Sequence, residues 1–126
     1  MKPISTLTYL NWTLLAKPVF DRDVYRLIKS HQFRSLVEIG LGDGRRCERM
    51  IRVAQRYATA GKLRYTGVDL FEGRDSGARL KLIEMHRRLN TLGVRAKLVP
   101  GTLAIGVQQI ANSHLRTDLV VIGHGF

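Results

Sequence analysis

Three glycines spaced one residue apart, Gly40, Gly42 and Gly44, follow directly on a short apolar segment at residues 36–39. Glycine in a turn between a strand and a helix adopts backbone conformations that other residues avoid, and it lets a ligand approach the main chain closely. The N–H groups at the start of the following helix then form a polar site for a nucleotide or its charged tail. A glycine-rich turn alone is a weak signal, so a second feature has to support it.

That second feature is a carboxylate at the end of the next apolar segment, where Asp69 closes the strand pattern of residues 63–68. Asp69 follows Gly44 by 25 residues, close to the separation at which a βαβ unit brings an acid to the ribose of a nucleotide. A carboxylate accepts hydrogen bonds from both vicinal hydroxyls. The pattern predicts a nucleotide site; the alternative is that the glycines only permit tight packing and Asp69 caps the next helix.

Two motifs resemble the cofactor site of class I S-adenosylmethionine-dependent methyltransferases: Glu38-x-Gly40-x-Gly42-x-Gly44 and Gly67-Val68-Asp69-Leu70. The dinucleotide fingerprint of other Rossmann folds spaces its last two glycines by two residues, and this sequence departs from that spacing. The resemblance extends over residues 34–123 and covers the cofactor half of such enzymes. It implies S-adenosylmethionine as the cofactor.

The resemblance also implies a role for individual residues. Glu38 would organise the first loop, and the glycines would make room for the methionine moiety of the cofactor. Asp69 would hold the ribose, and Leu70 would pack on adenine. Thr102 stands where the family often has an acid that binds the adenine amino group, although it is equally well placed as a helix N-cap. Gly123, after the fourth strand, completes the predicted cofactor-binding set.

The order of the apolar segments predicts an α/β fold, a parallel sheet with right-handed crossovers and helices on both faces. Strands are expected at residues 36–39, 64–68, 96–99 and 118–122, and helices at 18–30, after the glycines, at 76–92 and at 103–111. The last of these helices is expected to direct Leu103, Val107 and Ile110 inward. By resemblance the sheet is Rossmann-like, with the order 3-2-1-4 and a ligand crevice at the C-terminal ends of strands 1 and 4. We expect residues 1–33 to be a helical segment packed on a cofactor-binding domain of residues 34–126. Residues 6–16 have an ambiguous pattern.

The fourth strand is a continuous apolar run, which is typical of a parallel strand covered on both faces. Members of the family usually continue through three more strands, so by resemblance the sequence is truncated after strand 4. A bare apolar edge strand is an aggregation liability. We therefore expect a fragment, an incompletely ordered longer chain, or a homo-oligomer that covers the edge of strand 4.

Basic residues outnumber acidic ones by 21 to 10, which gives a formal net charge of +11. Part of this excess forms a stripe at helical spacing: Arg45, Arg49, Arg52 and Arg56. The helix at residues 76–92 is expected to direct further cations outward: Arg79, Lys81, Arg87 and Arg88. Such faces either follow the phosphates of a nucleic acid or keep the protein soluble, and the second reading is favoured. No aromatic residues interleave with the arginines, so no base-stacking platform is predicted.

The composition also bears on compartment, metals and catalysis. A lone cysteine, Cys47, on the apolar side of a helix is expected to be buried; it excludes an internal disulfide and fits a reducing compartment, so we expect a cytoplasmic protein. No run of 18 apolar residues predicts a membrane span. The histidines lack metal-ligand spacing, so no metal is expected. His124 follows the fourth strand at a position suited to a base, but without an identifiable carboxylate partner it is not assigned a catalytic role.

The leading hypothesis is an S-adenosylmethionine-dependent methyltransferase, or its cofactor-binding portion. The sequence identifies neither the methyl acceptor nor a catalytic residue. Two alternatives remain open: a non-catalytic nucleotide- or RNA-binding module on the same fold, and an NAD-dependent oxidoreductase.

Overall fold

The computed structural model describes residues 3–58, 62–73, 80–112 and 116–123. The helices are α1 (Thr6–Leu15), α2 (Val19–His31), α3 (Arg45–Tyr57), α4 (Leu82–Leu92) and α5 (Leu103–Asn112), with a short 3-10 helix at Phe71–Gly73. The strands are β1 (Ser35–Ile39), β2 (Arg64–Asp69), β3 (Arg95–Pro100) and β4 (Leu119–Ile122). No helix in these ranges is long and apolar enough to cross a membrane.

The four strands form one parallel sheet in the order β3-β2-β1-β4, which confirms the predicted topology. β1 lies between β2 and β4, with Glu38 opposite Gly67 on one side and Ile39 opposite Ile122 on the other. The chain therefore adds β2 and β3 on one side of β1 and then crosses over to add β4 on the other side. The order of the strands reverses at β1. In such sheets the ligand crevice forms at that reversal, outside the C-terminal ends of the strands.

Helices cover both faces of the sheet, but the two layers differ in thickness. On one face, Leu36 and Tyr65 belong to a large core with apolar side chains of the helices. These helix residues recur at helical spacing and are fully buried: Tyr25 and Ile28 of α2, Cys47, Met50 and Ile51 of α3, and Met85 and Leu89 of α4. The other face carries a small cluster of Val37, Ile39, Val68 and Val99. This second face is covered by α5.

The ambiguous segment at residues 6–16 is helical and forms α1. The Ser5 hydroxyl accepts a hydrogen bond from the Thr8 backbone N–H (3.1 Å), which satisfies one of the donors that a helix start leaves open. α2 follows Pro18, as predicted, and ends at Gln32 in a left-handed conformation with φ of 52°. α1 packs on α2, and α2 packs on α3.

The contacts of α5 differ from the prediction that Leu103 and Val107 point inward. These two side chains are 37% and 54% exposed. The helix instead approaches the sheet through Gly106, which is buried and lies so close to Val68 that an added Cβ would be 3.1 Å from its methyl carbon. Because glycine has no side chain, α5 packs closely on the sheet through the face that carries Gly106. The larger side chains of Leu103 and Val107 therefore point outward. The side chain of Ile110, also expected inward, lies outside the described residues.

The prediction that β4 is covered on both faces is wrong. Val121 is buried against the helices, but Val120 and Ile122 are 46% and 51% exposed. The reason is that β4 is the edge strand and α5 contacts β2 instead of covering β4. The expected apolar edge is therefore present.

Several predictions fall partly or wholly on residues that the structure does not describe. The helix expected at residues 76–92 is observed at Leu82–Leu92, and residues 76–79, with Arg79, lie outside the described residues. His114 and His124 lie outside them as well.

A pair of alanine variants on one turn of α2 tests this packing. Ile28 is completely buried, whereas Leu27 is 42% exposed. We expect Ile28→Ala to lower the free energy of unfolding by about 2–5 kcal/mol, because it leaves a cavity in the core, and Leu27→Ala to lower it by less than about 1 kcal/mol. Urea unfolding of both variants measures the difference. Equal losses would contradict the orientation of α2.

Candidate functional site

The glycine loop, residues 40–44, turns the chain from β1 into α3. All three glycines have positive φ angles: 82° at Gly40, 60° at Gly42 and 84° at Gly44. Residues with a Cβ rarely adopt this left-handed conformation, because the Cβ collides with the neighbouring carbonyl oxygen. The backbone geometry that the sequence predicted for this loop is therefore present, and Gly44 serves as the N-cap residue of α3.

Asp69 lies at the end of β2 and faces the glycine loop. Its side chain is buried, with 1% exposed. One carboxylate oxygen accepts a hydrogen bond from the Leu41 backbone N–H (2.7 Å), and the other accepts one from the Phe71 N–H (2.8 Å). Asp69 thus connects the loop after β1 to the turn after β2. Hydrogen bonding of this carboxylate to a ribose stays a prediction. The two observed hydrogen bonds also give Asp69 a structural role.

Glu38 on β1 is completely buried below the glycine loop. One of its carboxylate oxygens accepts a hydrogen bond from Arg46 Nε (2.7 Å), and the other accepts one from the Tyr65 hydroxyl (2.7 Å). The Arg46 guanidinium also donates to the Gly40 carbonyl oxygen (3.0 Å) and to the Asp21 carboxylate of α2 (3.1 Å). The predicted link between Glu38 and the first loop thus runs through Arg46.

The burial of this cluster affects its ionisation. Desolvation raises the pKa of Glu38 to about 7, against the opposing effects of the Arg46 guanidinium and the Tyr65 hydroxyl. Burial also raises the pKa of the neighbouring Cys47 thiol well above its usual range. Because the thiolate is the reactive form, Cys47 is an inert core residue, in agreement with its predicted burial.

Arg46 had no role in the sequence prediction, which considered only the arginine stripe on the same helix. A usable signal was present nonetheless. A buried carboxylate at the Glu38 position requires a charged or hydrogen-bonding partner, since an unpaired buried charge is costly. Two basic residues, Arg45 and Arg46, directly follow the last glycine of the loop and are candidates from the sequence, and the structure shows that Arg46 is the partner. Its second partner, Asp21, comes from a distant helix and carries no comparable signal.

Arg88 of α4 was expected to point outward, and this prediction is wrong. The side chain is half-buried, because its guanidinium reaches the start of α3, where it pairs with Glu48 and donates to the Asp43 carbonyl oxygen (2.9 Å). It occupies the space beside Gly44, where an added Cβ would lie 2.7 Å from a guanidinium nitrogen. The first N–H of α3 is also not open as predicted, since the Arg45 N–H donates to the Asp43 carboxylate (2.9 Å).

The remaining predicted site residues surround the same end of the sheet. Leu70 is 37% exposed directly after β2. The Thr102 hydroxyl accepts a long hydrogen bond from the Ile105 N–H (3.4 Å), which is the N-cap role that the sequence left open. Gly123 donates its N–H to the Ile39 carbonyl (2.7 Å), and a Cβ there would lie 2.4 Å from the Gly40 carbonyl oxygen. Gly123 is therefore required for β4 to approach the glycine loop.

Two of the four arginines in the stripe on α3 contact an aromatic ring of another helix, whereas Arg45 and Arg56 are exposed. The guanidinium carbons of Arg49 and Arg52 lie 5.2 Å and 5.9 Å from the centre of the Trp12 ring on α1. The absence of aromatic residues near these arginines in the sequence was therefore misleading, since Trp12 is brought in by tertiary packing. These cation–π contacts fix α1 against α3.

The sequence matches no protein-family model, and it matches no curated protein. Among solved structures, cofactor-bound Rv0187 from MTB has a similar fold, with a TM-score of 0.54 and 20% sequence identity. The similar region covers 92% of this chain and 50% of that chain, so this chain spans half the length of Rv0187. At this identity the similarity establishes the fold. The chain is a Rossmann-like α/β protein with a glycine loop at the end of its first strand.

The raised pKa of Glu38 predicts a specific pH dependence. The native state holds this proton more tightly than the unfolded chain, where the pKa is near 4.5. The resulting stabilisation is present below about pH 4.5 and is lost as the pH rises through about 7. We expect the free energy of unfolding of the parent protein, relative to Glu38→Gln, to fall by up to about 3 kcal/mol across this window.

Urea unfolding of both proteins at several pH values measures this difference. Asp118 does not interfere, because it is present in both proteins and hydrogen bonds from the Arg34 and Ser35 backbone N–H groups lower its pKa from its ordinary value. A difference between parent and variant that stays constant across the window would contradict the prediction.

Proposed function

We propose that this chain is an S-adenosylmethionine-dependent methyltransferase, or the cofactor-binding part of one. The observation that carries the proposal is the glycine loop: three left-handed glycines at the C-terminal end of β1, beside the point where the sheet reverses direction. The acid from the end of β2 holds this loop through the Leu41 N–H. The cofactor-bound state of Rv0187, on a similar fold, supports this proposal.

The residues at this edge of the sheet fit the parts of the cofactor. Among the described residues, no heavy atom lies within 4 Å of a Cβ built on Gly42, and we assign this space beside the loop to the methionine moiety. Asp69 offers carboxylate oxygens with more than one lone pair each, which suits the ribose hydroxyls. Leu70, half-exposed at the end of β2, offers an apolar surface for adenine.

When bound, the cofactor supplies a methyl group that its sulfonium already activates, so a protein mainly aligns the acceptor for in-line displacement. This chain contributes the positioning of the cofactor: Arg46 fixes the loop carbonyl at Gly40, and Gly123 lets β4 close against it. The acceptor side of the site is not assigned. A single cysteine is consistent with a reducing compartment, and a cytoplasmic location is part of this proposal.

The first test of the proposal is calorimetric titration with S-adenosylhomocysteine, with NAD titrated in parallel. We expect the parent protein to bind the former and not the latter. Gly42→Val should weaken binding by at least about tenfold, because it places a branched side chain over the loop, a loss of about 1.4 kcal/mol or more.

Gly93→Val provides the matched control. Gly93 ends α4 with a similar φ of 71°, also has open space around its Cβ position, and lies outside the glycine loop. The two variants therefore carry similar backbone strain, and only Gly42→Val should lose affinity. Equal losses, or NAD binding in place of S-adenosylhomocysteine, would refute the proposed site.

A second test separates the two roles of Asp69. If its carboxylate binds the ribose, the parent protein should prefer S-adenosylhomocysteine over an analogue that lacks both ribose hydroxyls, by about 1.5–3 kcal/mol. Asp69→Asn should reduce this preference, because an amide offers one acceptor oxygen instead of two. If Asp69 has only a structural role, Asp69→Asn should weaken the binding of both ligands equally, and the preference should persist in the variant.

A further inference from the structure

A polar cleft lies at the other end of the sheet, where the strands begin. Its volume is about 530 Å³, within the usual range of about 300–1,000 Å³ for ligand pockets. It is lined by the end of α2 and by residues that precede or begin three strands: His31, Gln32, Phe33, Arg34, Ser35, Lys62, Arg64, Arg116 and Asp118. The glycine loop is at the C-terminal ends of the strands, so the two sites occupy opposite edges of the sheet.

The basic residues of this cleft follow the order of the strands. Arg34 precedes β1, Arg64 begins β2 with Lys62 just before it, and Arg116 comes shortly before β4. Arg95 is not among the residues that line the cleft, but it begins β3 opposite Arg64 and extends the row along the sheet edge beyond the cleft. Because neighbouring strands lie about 4.8 Å apart, a cation at the start of each of four strands makes a row about 14 Å long. That length exceeds a single phosphate group and suits a chain of phosphates.

The one carboxylate in the cleft does not neutralise these cations by direct pairing. Asp118 accepts hydrogen bonds from the backbone N–H groups of Arg34 (2.9 Å) and Ser35 (3.1 Å), which commits one of its oxygens to holding β4 beside β1. Within residues 3–58, 62–73, 80–112 and 116–123, none of the cleft's lysine or arginine side chains forms an ion pair. Among the described residues that line it, the cleft therefore has four cations and one carboxylate.

An aromatic surface lies on the wall of the cleft. The rings of His31 and Phe33 stack face to face, with centroids 5.1 Å apart and planes 9° from parallel. Both residues line the cleft, and His31 is exposed. A base that is not paired can stack on such a ring, whereas the bases of a duplex are already stacked on one another.

We propose that this cleft binds single-stranded nucleic acid, with the basic row along the phosphates and the His31–Phe33 pair against a base. The site lies on a surface different from the helix faces that the sequence indicated. It goes beyond the proposed methyl transfer, since it uses no residue of the glycine loop, and a protein that binds no methyl donor would still possess it.

The test is fluorescence anisotropy with a labelled oligouridine of about twelve nucleotides, a length within the ~4–16-nucleotide sites of single-strand binders. The cleft variant carries Arg34→Gln, Lys62→Gln and Arg116→Gln, all at exposed positions. We expect this variant to bind the oligonucleotide at least about tenfold more weakly than the parent protein. Its plot of log K against log salt should be less steep by about 2, because ~0.7 counterions are released per phosphate contact.

The matched control carries Lys81→Gln, Arg87→Gln and Lys97→Gln, which remove the same charge from exposed positions outside the cleft. We expect it to retain the parent affinity and nearly the parent slope. Equal losses in the two variants would show a general charge effect and overturn the proposal, as would a parent protein without affinity for the oligonucleotide. Tighter binding of a DNA duplex of equal length would overturn the single-strand assignment.

Discussion

The buried pair of Glu38 and Arg46 is the interaction on which the geometry of the glycine loop depends. Arg46 binds the carboxylate of the central strand, the carbonyl of the first loop glycine and the carboxylate of Asp21 on α2 with a single guanidinium. Arginine suits this position because its planar fork offers several donors in fixed directions and remains charged when it is buried. Removal of one partner would leave a charge without compensation in a low-dielectric interior, which costs several kcal/mol. One guanidinium therefore connects the central strand, the glycine loop and α2.

The parts of the fold that the sequence predicted well are those set by local pattern. The left-handed glycines, the burial of Cys47 and the parallel sheet follow from short-range spacing and from the rules for parallel connections. The strand order was expected from the resemblance to a known family. The errors concern contacts between distant segments. Trp12 reaches Arg49 and Arg52 from α1, and Arg88 reaches Glu48 from α4, and no spacing within one helix encodes either contact. Apolar periodicity also could not show that Gly106 would replace larger residues as the contact of α5.

The parallel sheet gives the molecule two chemically different ends. At the C-terminal ends of the strands, the main-chain N–H groups of the loops are held by acids: Asp69 binds that of Leu41, and Asp43 binds that of Arg45. At the N-terminal ends, cations precede or begin the strands, and the carboxylate of Asp118 is bonded to the backbone. The two ends therefore suit different ligands, because one presents lysine and arginine side chains in a cleft and the other presents a glycine-rich main chain.

The limited packing of α5 on the sheet also affects the local stability of the fold. One face of the sheet packs on a large core that it shares with several helices, whereas the other has a cluster of four buried valine and isoleucine side chains, and Gly106 of α5 lies against one of them, Val68. Regions with few buried apolar contacts open at a lower free energy than the rest of a domain. The amides of α5 and β4 should therefore exchange with solvent through partial unfolding events, while those of β1, β2 and α3 should exchange only when the whole domain unfolds.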